Sequence, residues 1–569
     1  MKALASLLLF GASLASASGL GLQNILQSVE QDDPFVDPIN GLHKRATPPG
    51  DMPVIDLGYV KQKATEYGTA GNVSYYIFRN VRFAAPPVGE LRFRKPQPPA
   101  KVEEVQDGYY NGSLSCAQPA GLAGSTGGTE DCLFLDVWMP ATASPEKPLP
   151  VLTKWFGGGY VYGAKEKAGN PVALWKNGHD PFVFVAPNYR LGVFGWLSVP
   201  NTGVDANAGL HDGLAAMDWI RENIGKFGGD IKRSTAMGIS AGAGIVMHAM
   251  VSNRTPHVPF QQVLLQSPGW QPETTPAGRV PIYETLLANA GCKDTACLRN
   301  TSTKALQTAN LLTILLWNQD ALGPTSGFYP VPDGDILLDH PANLFTEGKV
   351  HPTVKRAVAS SARWEASGAF AVPEEADDEL FIKDVGVSFT SNTTLIKIIS
   401  EAYPSDGTPQ SGYNRGRDLT GDMGFNCNGL WVARYFSTLN NKSKKKSGSG
   451  KSKKCCCKSK GKKSSAWRYE FNVGTAAHGA DSTYTWFAND GTSKVDRPDL
   501  VKYQQDWVAE FVQTQKVSWP VWVEGSDAKA LWLNDTGLGV ERDYFAWKTY
   551  TERCDVLRTK VIGKGGDKA

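Results

Sequence analysis

The chain has 569 residues, 41% of them hydrophobic and 20% charged, with a formal net charge of +3. That composition supplies a large core and is ordinary for a soluble globular protein. Beyond the N-terminal segment no run of about 20 apolar residues occurs, so no integral membrane segment is expected.

Met1 to Gly19 has the pattern of a secretory signal: Lys2, an apolar stretch from Ala3 to Leu14, and the small residues Ala15-Ser16-Ala17 before the cleavage point. Residues 1–17 are therefore expected to be removed. Residues 18–45 read as a possible pro-peptide ending at the dibasic Lys44-Arg45, and 46–569 as one domain. Export to the extracellular space agrees with seven N-x-S/T sequons, at Asn72, Asn111, Asn253, Asn300, Asn392, Asn441 and Asn534. It also permits disulfides. Among nine cysteines, Cys116/Cys132 and Cys292/Cys297 are close pairs, and Cys427 and Cys554 stand far apart. Bridges 116–132, 292–297 and 427–554 are the expectation, although sequence alone does not prove connectivity. No cysteine has a histidine at metal-ligand spacing, so neither a metal nor another cofactor is expected.

Leu149 to Phe156 is a short apolar run that stops at Gly157-Gly158-Gly159, and Phe182 to Ala186 is a second. Ala208 to Ile224 has helical spacing, with Leu210, Leu214, Met217 and Ile220 on one face. Then come the strand and elbow Ser234-Thr235-Ala236-Met237-Gly238-Ile239-Ser240-Ala241-Gly242, a helix through Met247, and the strand Gln262 to Leu265. Two later strands are expected, Val354 to Ala359 and Trp467 to Val473, followed by an amphipathic helix over Gln505 to Val512. Strands alternating with helices point to an α/β fold, a mostly parallel sheet covered on both faces.

Asn441 to Ser465 breaks the pattern. It holds eleven lysines, the consecutive Cys455-Cys456-Cys457 and little else but Ser and Gly, and reads as a disordered insertion. Without those lysines the net charge turns negative, so the basic balance belongs to the insertion. The run has no interleaved aromatics, which argues against nucleic-acid binding.

Gly238, Ser240 and Gly242 form a G-x-S-x-G turn, which exposes a serine hydroxyl at the end of a strand. Acyl transfer through that serine needs a base, an acid to orient the base, and donors for the oxyanion. His478 lies in Gly474-Thr475-Ala476-Ala477-His478-Gly479 after one late strand, and Glu365 follows the other. The glycines after the Leu149 strand and the N–H of Ala241 are the candidate donors. Asp333, Asp335 and Asp481 rival Glu365 as the acid, Ser267 is a candidate neighbour of the acid, and His211 and His248 read as structural.

The chain resembles the type-B carboxylesterases, the group that includes cholinesterases and certain fungal lipases, from about Val54 to Val556. The resemblance rests on Phe83 to Phe93 (FAAPPVGELRF), Glu130 to Pro140 (EDCLFLDVWMP), Phe156 to Gly163 (FGGGYVYG), Asn188 to Gly195 (NYRLGVFG), Asn223 to Asp230 (NIGKFGGD) and the elbow. It implies an α/β-hydrolase fold with Ser240 as nucleophile, His478 as base, Glu365 as acid, and Gly158, Gly159 and Ala241 as the oxyanion hole. The three disulfides match it as well. Four positions depart from the family pattern: Ile239 and Gly213, where Glu and Gln are usual; Phe156, where His is frequent; and Ala366, where Gly follows the acid.

The implied activity is a secreted serine carboxylic-ester hydrolase acting through an acyl-enzyme on small-molecule esters. The fifteen residues between Cys116 and Cys132 contain four glycines and a proline, poor material for an amphipathic helical lid, and no aromatic to face a choline group. Soluble uncharged esters are therefore expected, with a triacylglycerol lipase or a catalytically inactive adhesion or binding protein as the alternatives. Tyr160, Trp270 and Trp317 are the expected pocket aromatics.

Overall fold

The computed structural model describes residues 46–110, 114–120, 125, 127–269, 276–317, 327–367, 376–388, 392–447, 464–488, 494–546 and 548–563. A two-stranded sheet of β1 (Val54–Asp56) and β2 (Lys61–Lys63) precedes the main sheet. The main sheet has eleven strands. They are β3 (Glu66–Ala70), β4 (Val73–Arg82), β5 (Phe134–Pro140), β6 (Leu149–Trp155), β7 (Val183–Pro187), β8 (Gly229–Ile239), β9 (Gln262–Gln266), β10 (Arg356–Ala362), β11 (Ser465–Asn472), β12 (Lys529–Asn534) and β13 (Gly537–Arg542).

In space the order is β3-β4-β5-β7-β6-β8-β9-β10-β11-β12-β13, and the pairs from β7 through β12 are parallel. Both edges are antiparallel. The result is an α/β-hydrolase fold. The apolar runs at β6, β7 and β9 are almost wholly buried, as strands covered on both faces must be. The helix at 208 spans Ala208–Asn223 and turns its Leu, Met and Trp residues into the core.

Sequence and structure part at the edges. The strand expected at Val354 begins at Arg356, and the last expected helix extends over Pro498–Thr514. The hairpin β12–β13 and the antiparallel strands β3 to β5 were absent from the sequence reading. Their residues alternate between buried and exposed or, in β5, lack a flanking helix pattern to mark them. The lysine-rich insertion is not disordered from its start: the helix Cys427–Ser447 runs through residues 441–447, while 448–463 lie outside the described residues. Among the described residues no helix is long and apolar enough to cross a membrane.

All three expected disulfides are present, Cys116–Cys132, Cys292–Cys297 and Cys427–Cys554. Arg92 ties the first two regions together. Its guanidinium grips the Glu130 carboxylate at 2.7 and 2.6 Å and donates to the carbonyls of Leu298, Arg299 and Thr301. Buried charges survive when paired and fully hydrogen-bonded in this way.

Candidate active site

Parallel strands deliver loops to one end of a sheet, the carboxyl end, and ligand sites of α/β proteins gather there. Four such loops carry the residues singled out above. Gly157 to Gly159 follow β6, Ser240 follows β8, Glu365 follows β10 and His478 follows β11.

Ser240 sits at φ 53°, ψ −127°, between β8 and the helix Ala241–Val251. An L-residue is strained in that region, and it stays there only because neighbours over-determine it. The neighbours here are glycines with no room for a side chain. A Cβ on Gly238 would lie 2.4 Å from Ala243 N, and one on Gly242 would lie 2.3 Å from Trp155 O. The Ser240 N–H donates to Gln266 O at 3.0 Å, and its carbonyl accepts from Gly269 N–H at 2.9 Å. The turn thus places Ser240 at a helix N-terminus, where the backbone dipoles favour negative charge.

Gly158 (φ 105°) and Gly159 (φ 58°) turn the chain back beside the elbow. A Cβ on Gly157 would lie 3.0 Å from Ser240 Cβ, so this loop packs directly on the serine. Among the described residues the N–H groups of Gly158, Gly159 and Ala241 donate to no acceptor. Three uncommitted amides beside one hydroxyl can bind a developing oxyanion. The loop is held by the side chain of Gln118, which accepts from Gly163 N–H at 2.9 Å and donates to Gly163 O at 3.0 Å.

Glu365 and His478 are in direct contact. His478 Nδ1–H donates to Glu365 Oε2 at 2.6 Å, and both residues are buried. The other carboxylate oxygen, Oε1, accepts the Ala362 N–H at 2.7 Å, which fixes the carboxylate plane. The two loops are themselves paired: Trp364 bridges Ala477, and Trp364 N–H donates to Ala476 O at 3.0 Å.

Contacts through Phe425 and Gly269 link this pair to the elbow of Ser240. Phe425 stacks on His478 with ring centroids 4.1 Å apart. A Cβ on Gly269 would lie 2.9 Å from Phe425 Cε1 and 3.1 Å from the Ser240 carbonyl carbon. Phe425 is therefore packed on His478 and against Gly269, the residue that abuts Ser240.

The rival acids are engaged elsewhere. Asp333 accepts from Asn207 Nδ2 at 2.8 Å, and Asp335 pairs with Lys95 at 2.7 Å. Asp481 is close to the pair but takes the hydroxyls of Tyr469 (2.6 Å) and Ser360 (2.9 Å) rather than the imidazole. Ser267 meets this same network through its N–H, which donates to Ser360 Oγ at 3.1 Å. Burial raises the Asp481 carboxyl above its ordinary value, offset by those two hydroxyl bonds, while the Glu365 charge raises it further. His248 Nδ1 lies 2.6 Å from Gly244 O within its own helix, and His211 is half-buried near Lys95; desolvation lowers both to about 4. Neither belongs to the site.

Two further residues escaped the sequence reading. Lys154, two positions before Phe156, is fully buried with its ammonium 3.3 Å from Ser482 Oγ and 4.3 Å from the Trp486 ring. Burial holds it well below the usual lysine value, against the pull of Asp481. Phe425 has no motif around it to mark it. The expected pocket aromatic Tyr160 is a buried tie instead, its hydroxyl donating to Gly269 O at 2.7 Å. Trp270 lies outside the described residues, and Trp317 ends the helix Thr303–Trp317.

The departures from the family pattern fit their surroundings. Phe156 stacks on Tyr189 at 4.3 Å, and a Cβ on Gly213 would lie 2.9 Å from Ile245 Cγ2. Ile239 and Ala366 are buried at 1% exposure each.

Comparison with known proteins decides the family. The family model described as "Carboxylesterase family" matches residues 54–533. The chain belongs to the carboxylesterase family. Among relatives of this carboxylesterase, Carboxylesterase patB of Aspergillus clavatus is 32% identical over 67% of this chain and 78% of its own. Carboxylesterase patB of Penicillium expansum is 28% identical over 89% of this chain and 95% of its own. Lipase 1 of Geotrichum candidum is 32% identical over 48% of this chain and 56% of its own. The solved structure of Aspergillus niger EstA superposes with a TM-score of 0.72 at 23% identity, covering 89% of this chain and 98% of its own, and so shares the fold.

Proposed function

We propose that this carboxylesterase-family protein is an exported serine hydrolase of soluble uncharged esters, with Ser240 as nucleophile, His478 as base and Glu365 as the acid that orients it. The observation that carries the reading is the buried 2.6 Å contact between His478 and Glu365, with Phe425 packed on His478 and against Gly269, which abuts the strained Ser240. His478 Nε2 takes the Ser240 proton as Oγ attacks the ester carbonyl carbon. The carbonyl oxygen becomes an oxyanion facing the N–H groups of Gly158, Gly159 and Ala241. The C–O bond to the alcohol then breaks, the alcohol leaves with the proton from His478, and the acyl group stays on Ser240. Water, deprotonated by the same imidazole, releases the acid.

The preference for soluble esters over emulsified lipid rests on the segment between Cys116 and Cys132. Its described residues close on themselves as a narrow ladder, with Ala117 N–H to Thr129 O, Thr129 N–H to Ser115 O and Gln118 N–H to Gly127 O. The described residues of the segment form no helix, and the eight positions between Gln118 and Gly127 are too few for a three-turn amphipathic lid. Export rests on the leader pattern at 1–17, the sequons and the three disulfides.

Covalent labelling with a fluorophosphonate tests the reading. The purified protein should label on the peptide carrying Ser240, and Ser240→Ala should abolish both labelling and hydrolysis of p-nitrophenyl butyrate. Undiminished hydrolysis by Ser240→Ala would overturn it, and strong activation by emulsified long-chain triglyceride would overturn the substrate class.

A further inference from the structure

One element touches the His478–Glu365 pair and belongs to no motif: the π-helical turn Asp422–Asn426, between the helices Ser411–Gly421 and Cys427–Ser447. A π-turn forces an extra residue into a helix and is frequent at functional sites, where a side chain has to be re-aimed. The side chain aimed here is Phe425. Its ring lies 4.1 Å from that of His478 with 36° between the planes, and its edge stands against Gly269 beside Ser240. Gly421, just before the turn, packs on the acid, since a Cβ there would lie 3.7 Å from Glu365 Cβ. Asn428 Nδ2 donates to Gly424 O at 2.7 Å and Pro268 O at 2.9 Å, which ties the turn to the loop of Gly269.

A buried carboxylate anchors the turn from behind. Asp422 accepts from Tyr403 OH and from Asn426 Nδ2, each at 3.1 Å, and Arg553 Nη1 stands 3.9 Å from it. Arg553 also reaches Asp418 at 3.3 Å on the preceding helix and lies over the rings of Tyr403 and Tyr550. Next to Arg553, Cys554 is joined to Cys427, the residue that follows the turn. Tyr403, Arg553 and the Cys427–Cys554 bridge thus tie the turn to other elements, and Phe425 packs on the imidazole from it.

We propose that this turn is a positioning device for ester hydrolysis: Phe425 holds the His478 ring at the angle that serves both Glu365 and Ser240, and Asp422 holds Phe425. The inference rests on the roles given above to Ser240, His478 and Glu365. The imidazole becomes a cation when it takes the serine proton, and an aromatic face beside a desolvated cation stabilises it. The groups facing that cation are the Glu365 carboxylate at Nδ1, the Phe425 ring, and Asp481 behind the strand end. Removing the ring removes support from the charged form alone, so the cost falls on kcat.

The test uses the full-length protein with p-nitrophenyl acetate, comparing wild type with Phe425→Leu, Phe425→Tyr and Asp422→Asn. Phe425→Leu should lower kcat about tenfold with KM changed by no more than about twofold. It should also move the acidic limb of the kcat/KM profile to lower pH, because the imidazolium has lost its aromatic face. Phe425→Tyr should restore both, and Asp422→Asn should reproduce the kcat loss and the limb shift in part. A change confined to KM, or wild-type kcat and limb in Phe425→Leu, overturns the proposal. If Phe425→Leu fails to melt cooperatively, Asp422→Asn decides by the same criteria. A wild type that neither turns over ester nor labels on Ser240 refutes the underlying reading; an active, labelled wild type with unaffected variants refutes only the positioning device.

Discussion

Glu365→Gln is a sharp perturbation because the structure dictates how the new amide must lie. Glu365 Oε1 accepts the Ala362 N–H at 2.7 Å, and that buried donor needs an oxygen. A glutamine keeps its carbonyl there and turns its NH₂ toward His478 Nδ1, where Oε2 now accepts at 2.6 Å. Nδ1 must then become the acceptor, and the ring proton moves to Nε2, the atom that has to receive the serine proton. The wrong tautomer and the lost charge together should lower kcat by about 10³ to 10⁴, or about 4 to 5.5 kcal/mol, with KM little changed. Glu365→Asp keeps the charge but shortens the side chain, so the loss should be smaller. The assay is steady-state hydrolysis of p-nitrophenyl butyrate from pH 6 to 9, with thermal melting to show that each variant is folded. Glu365→Gln within tenfold of wild type, alongside a collapse of activity in Asp481→Asn, would refute the assignment of the acid.

Three stability predictions follow from the same coordinates. Gly242→Ala pushes a methyl onto Trp155 O and Phe156 O at 2.3 and 2.4 Å, so it should fail to accumulate as folded protein or melt well below wild type in calorimetry. The Cys427–Cys554 bridge closes a separation of 127 residues, and replacing both with Ser should cost about 5 kcal/mol by chemical denaturation if loop closure dominates. Glu470 is buried and its carboxyl pushed up to about 8 by desolvation, only partly relieved by Arg363 at 3.3 Å. A folded pKa above the unfolded one makes the folded state hold the proton between about 4.5 and 8, so stability from this group falls as pH rises through that window. Glu470→Gln mimics the protonated form and should narrow the gap in Tm between pH 5 and pH 8, by an amount on the order of 4 kcal/mol at most; an unchanged gap would contradict the burial argument.

The part of the molecule that sequence made legible is the part with the least freedom. Strands β6, β7 and β9 are almost wholly buried and largely apolar, so a hydrophobic run marks them, while β8 is marked by the elbow that ends it. The elbow is legible because Ser240 can hold its backbone angles only with glycine at 238 and 242. The antiparallel edges were not, since β3, β4, β12 and β13 mix buried with partly or fully exposed positions and the wholly buried β5 has no flanking helix pattern to mark it. Hairpin β12–β13 left one trace, the short apolar run Ala530 to Leu533 before the polar turn at Asn534 to Thr536. Within the site, His478 stood out by its glycine-flanked loop after a late strand, whereas nothing local separated Glu365 from Asp481 and the resemblance chose between them. The placement of Phe425 and Asp422 depends on a π-turn, and that of Lys154 on burial, and neither has a signature in the chain. In the lysine-rich insertion the helix Cys427–Ser447 continues through residues 441–447, which composition alone did not mark, and 448–463 lie outside the described residues.

The central claim is that Ser240 carries the acyl group between the two halves of the reaction. Rapid acid quench during turnover of a slow ester, followed by mass spectrometry of the digested protein, tests it most directly. The account predicts the acyl mass on the peptide containing Ser240 and its loss in Ser240→Ala. Steady hydrolysis with no acylated Ser240, or with the acyl group on another residue, would contradict it.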